Sequence, residues 1–89
     1  MHAVVFTVEF KPSATPQQLD NELDHLASHV RTIPGFVRGT WATDGRTGVS
    51  FQLFTDETAA RSVAANASVP ADAAVSLRSA NVYEVARDV

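Results

Sequence analysis

Residues 33–41 read Ile33-Pro34-Gly35-Phe36-Val37-Arg38-Gly39-Thr40-Trp41, and the rest of the chain arranges itself around them. A helical pattern runs up to this stretch: Leu19, Leu23, Leu26, Val30 and Ile33 recur at spacings of 4, 3, 4 and 3, one apolar stripe on a helix. Pro34 pushes Ile33 out of the helical region and brings no N–H, so the helix is predicted to stop there. Gly35 permits a backbone angle that side chains resist. An extended segment, Phe36 to Thr43, follows.

Upstream, Thr15 before Pro16 is an N-cap followed by proline at the first helical position. Before it, His2 to Phe10 is β-branched and aromatic and ends at Lys11-Pro12-Ser13, which reads as a first strand. Downstream, Asp44-Gly45-Arg46-Thr47-Gly48 is a hairpin signal that pairs the second strand with a third, Val49 to Thr55. Asp56 caps a second helix, Glu57 to about Ala67, with acid in its first turn, as the helix dipole prefers. Ser68 to Ala74 is a loop around Pro70, and Ser76 to Ala86 is the last strand. The order β-α-β-β-α-β predicts an α+β, ferredoxin-like subunit with a four-stranded antiparallel sheet. The 89 residues form one domain, 1–89, without repeat, linker or low-complexity tract.

The bulk numbers exclude several classes. Net charge is −3 and the seven basic residues are scattered singly, so no nucleic-acid footprint is expected. No apolar run approaches the ~18 residues of a membrane span. The first ten residues carry Glu9 inside an apolar run and lack a basic start, so they read as a strand rather than a signal peptide. A cytoplasmic location is the expectation. With no cysteine, neither disulfides nor thiolate metal sites can supplement the modest core of so short a chain. The remaining device is oligomerisation.

The strands say where. Val4, Phe6, Val8 and Phe10 share one face of the first strand while Ala3 and Val5 share the other; Val49, Phe51 and Leu53 lie opposite Phe54 on the third. A sheet with one wet face alternates cleanly, and this one does not. Two helices cover one face only. The second face is expected to pack on a second copy, a homodimer burying roughly 800 Å² or more per subunit.

These features resemble the antibiotic biosynthesis monooxygenase-like domains. The likeness rests on the strand ending in Phe10-Lys11-Pro12, the Ile33-Pro34-Gly35-Phe36 turn and following Arg38-Gly39-Thr40-Trp41, the Gly48-to-Phe54 strand leading into Thr55-Asp56-Glu57-Thr58-Ala59-Ala60, and the closing Val82-Tyr83-Glu84-Val85-Ala86. It covers nearly the whole chain. The resemblance implies a dimeric α+β barrel with a small-molecule cavity between sheet and helices, and in some members cofactor-free oxidation of aromatic substrates by oxygen. Quinone-forming members place an Asn, a Trp and a Tyr where Ser50, Phe54 and Ala60 look to stand here. Heme-degrading relatives place an Asn and a Trp where Phe6 and Val63 look to stand, with a His soon after the second helix, a stretch (Val69 to Val75) without His here.

Several residues could carry chemistry. Glu22, His25 and His29 lie on one helical ridge with spacing ExxHxxxH. Such a set can hold a divalent metal, but with no further ligand in view it reads as a solvated helix flank, and neither metal nor cofactor is expected. His29 is the candidate general base, because histidine titrates near neutrality. Tyr83 is the candidate donor to a substrate carbonyl or phenolate. Trp41 reads as pocket lining or as packing; Ser50, Gln52 and Asn81 as ligand contacts or interface hydrogen bonds. Arg38 and Arg78 read as partners of Glu9 or Glu84. The second helix is rich in small residues, which either bring it close to the sheet or leave space; with space, Phe6, Phe54 and Val63 line an apolar cavity. The expected function is a small dimeric protein binding an apolar or aromatic metabolite, as a cofactor-independent monooxygenase or as a non-catalytic binding or scaffold dimer. Heme binding is a third, weaker reading.

Overall fold

The computed structural model describes residues 1–89 as β1 (His2–Phe10), α1 (Pro16–Val30), β2 (Phe36–Thr43), β3 (Thr47–Phe54), α2 (Glu57–Ala65) and β4 (Val75–Glu84). The four strands form one antiparallel sheet in the order β2-β3-β1-β4. This is the ferredoxin-like α+β arrangement.

Local chemistry sets most element ends. The Thr15 side chain accepts the Gln18 N–H at 3.1 Å, and Asp56 accepts the Ala59 N–H at 2.7 Å. In the β2–β3 turn Asp44 accepts the N–H groups of Arg46 and Thr47 at 2.9 and 2.8 Å. α1 stops one turn earlier than the proline alone requires. Thr32 and Ile33 donate their N–H groups to His29 and Val30, three residues back, which tightens the last turn and leads the chain out of the helix. Gly35 takes φ 87°, and its carbonyl accepts the Thr55 N–H at 2.8 Å, fastening this turn to the end of β3.

The pairing registers sort the side chains. Val4 faces Gln52 and Val82, Phe6 faces Ser50 and Ala80, and Trp41 faces Ser50, all on the side under the helices. Ala3, Val5 and Thr7 pair with Leu53, Phe51 and Val49 on the uncovered side. Two irregularities depart from simple alternation, one between Thr7 and Val8 where β1 meets β4, the other in β2. A bulge between Phe36 and Arg38 leaves Val37 outside the ladder, so Gly39 and Trp41 share a face with Phe36 rather than with Val37, the partner that alternation predicts.

The core is small. Nine of 89 residues are fully buried, and Val4, Val30, Phe54 and Ala60 form its centre, with Phe36 edge-on to Phe54 at 5.8 Å. The two helices reach this core differently. Ala60 of α2 lies directly on it, with Ala59, Val63 and Ala64 around it, so the small side chains bring the helix close instead of leaving space. α1 contributes one fully buried residue, Val30, while Leu23 and Leu26 remain 42 % exposed. Its other tether is polar: the Glu22 carboxylate accepts the Ala74 N–H at 2.9 Å.

The uncovered face carries Val49, Phe51 and Tyr83 at 46, 44 and 54 % exposure. Beyond β4 the Val85 N–H donates to Met1, and the Asp88 carboxylate pairs with Arg38 on β2, so the tail spans the sheet from one edge strand to the other. Ala3 and Leu53 are buried at that end of the face. Arg78 pairs with Glu9 at 2.8 Å, as its placement within a strand suggests; Arg38 takes Asp88 instead of Glu9 or Glu84. No helix is long and apolar enough to cross a membrane.

Candidate functional site

A pocket of about 230 Å³ opens between the last turn of α1 and β2. Ala27, Val30 and Arg31 line it from the helix; Phe36, Arg38, Gly39 and Trp41 line it from the strand. Gly39 makes this wall possible. A Cβ there would stand 2.8 Å from the Trp41 Cη2 atom, so the indole lies flat along β2, over the one position with no side chain.

Gly39 pairs with Gln52 and Trp41 with Ser50 on β3. Gln52 and Ser50 are buried, at 2 and 6 % exposure. The Gln52 Oε1 and Trp41 Nε1 atoms are both buried without a hydrogen-bond partner. One is an acceptor and the other a donor, one β-pairing apart on one face. A buried polar atom left unpaired costs about 1–3 kcal/mol, and such atoms are uncommon in folded proteins. Trp41 lines the pocket, and Gln52 pairs with Gly39 of the same wall, which makes this the candidate ligand site. The sequence carries the signal as Gly-x-Trp on a strand, where the glycine clears room on the same face as the ring.

A third orphan, His2 Nδ1, lies at the start of α2, where His2 Nε2 stands 3.9 Å from Glu57. The carboxyl of Glu57 is held below its ordinary value, first by the hydrogen bond from Arg61 and then by that residue's charge. An open groove between α2 and β4, lined by Arg61, Ala64, Asn81 and Tyr83 among others, has no enclosing wall.

The other residues singled out from sequence fall in separate places. Phe54 belongs to the packed core, and Phe6 and Val63 border it. Tyr83 pairs with Ala3 on the uncovered face. His29 is exposed on α1, on the helix side, so the sheet stands between these two residues. His25 is exposed as well, and Glu22 is committed to the Ala74 N–H. No cluster of three or more His, Cys, Asp or Glu side chains forms. Arg31 is the residue that sequence reasoning passed over. It caps α1, lines the pocket and forms no ion pair.

No protein-family model matches the chain, and no curated protein matches it either.

Proposed function

We propose that this chain is the subunit of a dimeric α+β barrel that binds a small aromatic molecule between α1 and β2. The pocket itself carries the reading: a concave space lined mostly by apolar side chains, with the chain's one indole in its wall, suits a small ring. The indole and Phe36 offer the aromatic wall.

The dimer is supported by the uncovered face. Val49, Phe51 and Tyr83 leave apolar surface in water, and nine buried residues make a thin core for an independent domain. Phe51→Lys is expected to yield a monomer in sedimentation velocity, with wild type sedimenting as a dimer at micromolar concentration.

Binding is tested by thermal shift with one-ring and two-ring aromatics. Wild type should be stabilised, and Ala27→Phe, which fills the pocket from the helix side, should fold and lose the response. An equal response from both proteins would remove the pocket from consideration. The resemblance adds an oxygenase form of the same reading. Against it stands the separation of His29 from Tyr83 by the sheet, which favours the binding form. Oxygen uptake with a reduced naphthoquinol, lost in His29→Ala, would instead establish catalysis.

A further inference from the structure

One position on β2 sets the size of the ligand, granted the binding reading above. We propose that Gly39 and Trp41 together are the size selector of the pocket: the indole, held flat over the glycine, leaves room for a single substituted benzene ring and shuts out a fused pair. An apolar cavity of about 150 Å³ already holds benzene. The pocket's volume of about 230 Å³ adds space for a substituent and lies below the roughly 300–1,000 Å³ of drug-sized sites.

The bulge at Val37 puts Phe36, Gly39 and Trp41 on one face, with the glycine between two aromatic rings. A Cβ at position 39 would stand 2.8 Å from Trp41 Cη2, 3.0 Å from Trp41 Cζ3 and 3.4 Å from Phe36 Cζ. Phe36 has little freedom to give, because it is braced edge-on against Phe54 of the core. The Trp41 Nε1 edge is buried, which closes that direction to the indole. The open space that the ring borders is the pocket, so a side chain at position 39 drives the indole into it. From the helix side the slot is met by the short Ala27, so the indole, more than α1, sets its depth. Gly39 does not take a positive φ, so alanine suits the backbone there and its effect falls on the ring. Both Trp41 atoms in closest contact belong to the six-membered ring, beyond the reach of a shorter phenylalanine side chain.

The experiment is calorimetric titration of wild type, Gly39→Ala, Trp41→Phe and the double variant with para-cresol and 2-naphthol, two neutral phenols that differ by one ring. Wild type should bind para-cresol about tenfold more tightly than 2-naphthol, a difference of about 1.4 kcal/mol. Gly39→Ala should lose para-cresol, and adding Trp41→Phe should restore it, because the atoms that meet the new Cβ are gone. Trp41→Phe alone should bind 2-naphthol at least as tightly as para-cresol. A general loss of stability would produce neither the restoration nor the reversal. Equal or tighter binding of 2-naphthol by wild type overturns the size limit and leaves the pocket reading standing. Undiminished para-cresol binding by Gly39→Ala, or no recovery in the double variant, overturns the role of Gly39. A preference unchanged in Trp41→Phe overturns the selector even if Gly39→Ala fails to fold. Failure of both compounds to bind wild type brings down the pocket reading and this inference with it.

Discussion

The two helices lie on the same side of one sheet and do opposite things. α2 offers Ala59, Ala60, Val63 and Ala64 to the core, and its short side chains let the backbone settle onto β1, β3 and β4. α1 offers a leucine stripe, yet Leu23 and Leu26 stay largely in water, and its hold is concentrated at Val30 and at the Glu22–Ala74 hydrogen bond. A row of large apolar residues therefore does not guarantee close packing. The helix with the smaller side chains is the better buried one, and the pocket opens under the helix with the larger ones.

Three substitutions test this contrast. Phe54→Ala removes the ring at the centre of the core and should cost about 3–5 kcal/mol, enough to unfold much of so small a domain; urea unfolding reads it directly. Ala60→Leu, a hydrophobic gain on paper, should destabilise by about 1–3 kcal/mol, because Ala60 is fully buried and α2 would have to lift. If Ala60→Leu proves neutral, the close approach of α2 is wrong. Leu26→Ala on α1 should cost only about 1 kcal/mol, since much of that side chain already meets water. A loss as large as that of Phe54→Ala would mean that α1 is packed as tightly as α2.

The smallest effect concerns pH and lies away from both helices. Hydrogen bonds from the Thr47 and Arg46 backbone lower the carboxyl pKa of Asp44. A depressed folded-state value means that Asp44 stabilises the turn above its ordinary pKa of 3.8 and loses that contribution as pH falls through the lower folded one. Asp44→Asn should leave stability below that window unchanged and flatten its rise with pH across it, measured by urea midpoints at successive pH values.

What could be read from the residues was what neighbours in sequence decide. Thr15, Asp56, Gly35 and the Asp44 turn act within a few positions of themselves, so the element order and the caps were legible. Distant partners decide the rest. The Val37 bulge re-aims Trp41 and depends on how β2 meets β3; Glu22 meets a residue 52 positions away, and Arg38 one 50 positions away. The candidate site followed the same division. Trp41, Ser50 and Gln52 could be named as polar or aromatic groups on buried strands, but the meeting of Trp41 with Arg31 in one pocket required the register of β2 on β3 and the height of α1.

Gly39 has one more consequence. By clearing space for the molecule's single indole, it fixes the chain's one tryptophan fluorophore at one known spot. Emission excited at the red edge therefore comes from that spot alone, with no second tryptophan to dilute it. A shift in its colour or lifetime would report events at β2 without any label being attached.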